Sequence, residues 1–149
     1  MDDVQAVLNL LYTYAERIDS GDLDGAAALF DHAQLRLQGG NEEVLVGAAG
    51  VRKIWEDFIA IYGDGTPRTK HVITNPIVEV DPDGTRATIR SYYTVIQQTD
   101  DYPLQPVCAG RYHDEFEKVD GAWRYRFRDY SLLDLVGDFR AHAKGAPPA

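Results

Sequence analysis

From Asp3 to Asp19, Val4, Val7, Leu8, Leu11, Ala15 and Ile18 recur at three- and four-residue spacings, one apolar stripe on a helix. Ser20-Gly21 ends it. Asp22 or Asp24 then offers a cap for a second, short helix running to Phe30, with Leu23, Ala26, Ala27 and Phe30 inward. Leu35, Leu37 and Val44 to Val46 mark short extended pieces around a Gly39-Gly40 turn. Val51, Ile54, Trp55, Phe58, Ile61 and Tyr62 predict a third helix. At His71 the period changes from helical to alternating. Strands are expected over 71–80, 86–98, about 107–119 and 123–132, with turns at Asp81-Pro82-Asp83-Gly84 and Asp120-Gly121. Helices followed by a long antiparallel meander indicate an α+β fold. A curved sheet covered by helices leaves a pocket between the layers, a common place for small apolar ligands.

With 149 residues and no linker or repeat, the pattern predicts one domain over 1–143 and a flexible tail over 144–149. A formal charge of −9 argues against a nucleic-acid surface, which needs clustered Lys and Arg. The basic run Arg124-Tyr125-Arg126-Phe127-Arg128 alternates with aromatics and reads as a strand. Cys108 is the single cysteine, so no internal disulfide can form. No stretch has the length of a membrane span and the amino terminus lacks a secretory pattern, so a cytoplasmic protein without membrane contact is expected.

Asp19 and His71 stand out chemically. Asp19 lies at the edge of the first apolar stripe, at a helix C-terminus, where an acid is electrostatically disfavoured. Turned inward it can steady an imidazole; turned outward it is a solvated helix end. His71 opens an extended segment, sharing strand parity with Ile73, Asn75 and Ile77, and histidine exchanges protons readily near neutral pH. The competing reading is a core or rim histidine. Tyr14, Tyr93, Tyr112, Asp114, Tyr125 and Asp129 are candidate pocket groups, and a tyrosine hydroxyl can stabilise an enolate oxygen. Trp55 and Phe58 serve as core or pocket roof, and Asn75, before Pro76, as pocket edge or bulge. Strand parity sets Trp123, Tyr125, Phe127 and Asp129 on one face, with Arg124, Arg126 and Arg128 on the other beside His113, Glu115 and Glu117. One bulge would reverse that parity. His32 lies at a corner and His142 near the tail. No metal motif, P-loop, dinucleotide fingerprint or nucleophile elbow is present, so no metal and no cofactor are expected.

The runs Y-A-E-R-I-D-S-G-D-L-D-G-A-A-A-L-F at 14–30, K-H-V-I-T-N-P at 70–76, G-R-Y-H-D-E-F at 110–116 and D-G-A-W-R-Y-R-F-R at 120–128 resemble the SnoaL-like branch of the nuclear transport factor 2-like superfamily. That superfamily includes scytalone dehydratase, polyketide cyclases and ketosteroid isomerase. The resemblance implies a cystatin-like conical barrel: a strongly curved, mixed but mostly antiparallel sheet packed against three N-terminal helices, paired as a homodimer. In dehydratases of this type an aspartate near the end of the first helix supports a histidine on a central strand, and tyrosines polarise a carbonyl. Asp19 and His71 match those places and Tyr14 matches a helix tyrosine. A second histidine on the following strand is missing from 86–98, where Tyr92 and Tyr93 stand instead. The expected function is a cofactor-independent dehydratase-type lyase on a small cyclic or polyketide-like carbonyl compound, with Asp19, His71, Tyr14 and Tyr93 as the catalytic set. An isomerase or cyclase using the same pocket, or a non-catalytic module for binding small ligands or for assembly, are the alternatives.

Overall fold

The computed structural model describes residues 1–37 and 44–144; the Gly39-Gly40 turn and all but Lys144 of the expected tail lie outside the described residues. Helix α1 covers Asp3–Asp19 and α2 covers Leu23–Ala28, followed by short strands β1 (Gln34–Arg36) and β2 (Val44–Leu45). Helix α3 covers Gly47–Phe58. Then come β3 (Thr69–Val80), β4 (Arg86–Gln97), β5 (Gln105–Val119), β6 (Ala122–Asp129) and β7 (Leu133–Val136). Asp2 caps α1 through the Gln5 N–H, and Asp22 caps α2 through the Gly25 N–H. Val7, Leu11, Tyr14, Ala15 and Ile18 form the buried stripe of α1, whereas Val4 is exposed.

Among the described residues the sheet runs β2-β1-β6-β5-β4-β3, with β7 added to β5. All pairings are antiparallel except β1 with β6, which is parallel. This corrects the expected conical barrel. The sheet is open, with β2 and β3 as unjoined ends. Closure would require β2 to pair with β3, but β2 has two residues and β1 three. The three helices do not form one N-terminal layer either, since α3 follows β1 and β2. Helix α1 lies against β3, so helix side chains, not strand closure, cover the inner face and form the core with Phe30, Leu35, Ile89 and Phe116.

Two bulges decide which side chains face inward. Asn75 and Pro76 together oppose Ser91, because Pro76 has no N–H to give the ladder and Asn75 takes a left-handed φ of 42°. In β6 the register shifts so that Arg126 is the extra residue between Tyr125, opposite Phe116, and Phe127, opposite Glu115. Beyond it Arg128 pairs with Asp114 and turns inward. The expected outward position of Arg128 is thereby reversed.

Candidate active site

The end of α1 and the start of β3 meet at Asp19 and His71. One Asp19 oxygen lies 2.7 Å from His71 Nδ1 and accepts the Thr69 hydroxyl at 2.8 Å; the other accepts the His71 backbone N–H at 2.7 Å. Both side chains are largely buried, at 8% and 7% exposure. A carboxylate accepts hydrogen bonds only, so Nδ1 carries the proton it shares, and a neutral ring then presents a free lone pair on Nε2. Local structure makes this meeting tight. Gly21, at φ 81°, passes so close to the 64–66 loop that an added Cβ would stand 1.9 Å from the Gly65 carbonyl oxygen.

His71 lines a cavity of about 240 Å³ between the helices and the inner sheet face. Its walls include Tyr14 from α1, Trp55 and Phe58 from α3, Tyr93 from β4, and Tyr112 from β5. Tyr130, Phe139 and His142 join them from the C-terminal part of the chain. Asp19 does not line this cavity; it stands behind His71, facing an adjoining cleft.

The tyrosines form a connected wall. Tyr130 donates to the Tyr14 hydroxyl at 2.7 Å, and Tyr93 stacks on Tyr112 with ring centres 4.3 Å apart. Tyr93 fits because it crosses Gly110, where a Cβ would lie 2.7 Å from its hydroxyl. Burial raises the hydroxyl pKa of Tyr14, Tyr112, Tyr130 and Tyr93, keeping these groups protonated donors. Burial also pushes the Cys108 thiol up to about 11, which leaves it an un-ionised wall residue.

Beneath this wall sits Arg128, wholly buried, held by Asp114 through two bonds of 2.7 and 2.8 Å. Its guanidinium lies 3.9 Å from the Tyr112 ring centre and 4.3 Å from that of Tyr14, and it donates to Tyr125 at 3.2 Å. Burial raises the Asp114 carboxyl pKa and Arg128 opposes that shift, because each charge stands in for the water the other has lost.

Four expected pocket residues stand elsewhere. Asn75 is exposed on its bulge. Asp114 is consumed by Arg128, and Tyr125 is buried against Phe30 with ring centres 4.5 Å apart. Asp129 turns to Arg36 at 2.9 Å and to Ser131, whose hydrogen bonds hold its carboxyl below the usual range although burial opposes them. Conversely, Arg128, Tyr130 and His142 are absent from the sequence-derived site. The β6 bulge concealed Arg128, and His142 belongs to a stretch without periodicity. Among the described residues no group of three or more His, Cys, Asp or Glu side chains converges as a metal-holding set.

A family model described as a SnoaL-like domain matches residues 1–129. Among solved structures, a protein of unknown function from Mycobacterium tuberculosis is 25% identical, with a TM-score of 0.68 over 88% of this chain and 71% of that one. A protein from Novosphingobium aromaticivorans provisionally named a scytalone dehydratase is 23% identical, with a TM-score of 0.70 over 97% and 94%. ActVI-ORFA from Streptomyces coelicolor is 19% identical, with a TM-score of 0.66 over 89% and 96%. The latter two likenesses concern the fold. No curated protein matches the chain.

Proposed function

The chain belongs to the SnoaL-like domain family, and we propose that it is a cofactor-independent lyase of the dehydratase type, acting on a small cyclic carbonyl compound with a hydroxyl β to the carbonyl. The family and its folds support a catalytic or ligand-binding role in general. The observation that carries the finer reading is the Asp19–His71 hydrogen bond of 2.7 Å, on the ring edge away from Nε2, beside a cavity lined by four tyrosines.

In this mechanism Nε2 of His71 takes the proton from the carbon next to the carbonyl. The C–H electron pair flows toward the carbonyl oxygen, giving an enolate. Tyr14 donates to that oxygen; its own oxygen already accepts from Tyr130, whose hydroxyl takes a long 3.4 Å contact from Arg128. The enolate pair then returns to form C=C, the β C–O bond breaks, and the imidazolium of His71 gives its proton to the leaving hydroxyl. One water is lost and His71 is restored. Asp19 holds the ring and balances its transient charge.

Size supports a substrate of one or two rings, since about 150 Å³ of apolar cavity holds a benzene and this one is larger. The test is incubation with cyclic β-hydroxy ketones followed by mass analysis. Loss of one water that disappears in His71→Ala supports the lyase; an isomer of unchanged mass points to isomerase or cyclase chemistry. Tight retention of the unaltered ketone, indifferent to His71→Ala, points to a binding module.

We also propose a homodimer through the outer sheet face, where Val72, Ile77 and Tyr92 are 40%, 49% and 55% exposed. Sedimentation of wild type beside Tyr92→Glu tests it: a dimer that falls to monomer supports the pairing, and a monomeric wild type overturns it.

A further inference from the structure

His142 reaches the cavity from the end of the described chain, and its placement is closely specified. Its carbonyl accepts the Ala60 N–H at 2.9 Å, its own N–H donates to the Phe139 carbonyl at 3.0 Å, and Lys144 N–H donates to Phe58 at 2.8 Å. One residue before it, the Ala141 carbonyl accepts from the Gln97 side chain at 3.0 Å and from the Tyr62 hydroxyl. One residue after it, Ala143 bridges to Ile59. The segment is thus fastened to α3, to the loop after it and to β4. The imidazole lies near the rings of Phe58 and Phe139, with centres 6.3 and 6.1 Å away.

His142 is 5% exposed and its ring lines the cavity. Among the described residues its buried Nδ1 has no hydrogen-bond partner. A buried polar nitrogen left unpaired is unfavourable, and native structures supply such groups with a partner. Nδ1 is sealed from the cavity as well as from solvent, so a ligand meets the imidazole at its other nitrogen, Nε2.

Resting on the dehydratase reading for its chemistry, we infer that His142 is a substrate-contacting residue that binds the β-hydroxyl and makes the cavity selective for hydroxylated over plain cyclic ketones. A neutral imidazole has one donor and one acceptor, the same complement as a hydroxyl. Its desolvation, and the neighbouring His71, favour that neutral form, with Asp19 opposing. A neutral ring cannot surrender its N–H proton without becoming an anion, so protonation of the leaving group stays with His71. His142 holds the C–O bond near the imidazolium that delivers the proton. The tyrosines are left for the carbonyl.

The experiment uses the full chain and two probes, 1-indanone and 3-hydroxy-1-indanone, titrated by calorimetry against wild type, His142→Phe, His142→Gln and His71→Ala. Wild type is expected to prefer the hydroxylated probe. His142→Phe loses about tenfold in affinity for that probe and changes little for 1-indanone. His142→Gln, whose amide also donates and accepts, recovers part of the loss. Equal weakening of both probes means a packing role and overturns the inference, as does an undiminished hydroxyl preference in His142→Phe or no preference in wild type. Turnover is read separately. If no probe loses water while the His142-dependent preference persists, the lyase reading fails and the His142 contact stands. Water loss without that preference overturns the His142 contact and leaves the lyase standing.

Discussion

Asp19 holds His71 at two points, the ring Nδ1 and the backbone N–H, each at 2.7 Å. The side chain at the end of α1 therefore positions both the strand and the imidazole it carries. Replacing Asp19 by Asn keeps the volume but offers an amide N–H to Nδ1, which favours the tautomer with its proton on Nε2. The expected outcome is a fall in turnover of a cyclic β-hydroxy ketone of about 10²–10⁴-fold. His71→Ala should cost a similar factor, and the double variant little more than the worse single one, because the two act as a unit. Steady-state rates on the three variants measure this.

Tyr14 accepts from Tyr130 and lines the cavity, and in the proposed mechanism it donates to the substrate. Tyr14→Phe should lower kcat by about 10²–10³-fold with a smaller change in KM, as expected when a donor acts mainly on the developing oxyanion. A proportionate rise in KM at constant kcat would assign Tyr14 to ground-state binding instead.

The Asp114–Arg128 pair is fully buried. Asp114→Ala leaves a guanidinium without its counter-charge and should destabilise the fold by about 3–5 kcal/mol. Replacing both, as Asp114→Leu with Arg128→Met, should recover most of that loss. Urea unfolding of the two variants distinguishes a paired charge from a merely bulky one.

His142 titrates at about 4 in the fold against an ordinary value of 6.5, chiefly because burial disfavours its charged form. The unfolded chain therefore binds the extra proton first. Its contribution is fully present above pH 6.5 and is lost as pH falls toward 4, in total on the order of 3 kcal/mol. In His142→Phe this component should vanish while the carboxylate contributions persist. Between pH 7 and pH 4.5 the unfolding free energy of wild type should therefore fall further than that of the variant.

Gly110 gives room to Tyr93. Its Cβ would meet the Leu132 carbonyl oxygen at 2.4 Å and the Tyr93 hydroxyl at 2.7 Å. Gly110→Ala should cost about 1–3 kcal/mol and weaken 1-indanone binding by displacing the Tyr93 wall. A thermal melt and a titration on the same sample test both effects.

Local patterning made much of the chain legible. The three- and four-residue repeat from Val7 to Ile18, the change to alternation near His71 and the Asp-Gly turns correspond to α1, β3 and the hairpins, because these signals arise between residues close in sequence. The same helix end and strand start bring Asp19 and His71 together. What the chain alone determined was most of these elements, though not β7 or the end of α3 at Phe58, and the position of this acid–imidazole pair along them. Tertiary structure decided the open sheet and the contents of the cavity. Bulges at Asn75 and Arg126 reverse strand parity, sending Asn75 out and Arg128 in. Docking of Ala143 on Ile59 brings His142 across more than half the chain's length to the cavity wall. Such outcomes depend on pairings between distant segments, where one inserted residue or one bridge changes which face a side chain occupies, and no local period records them.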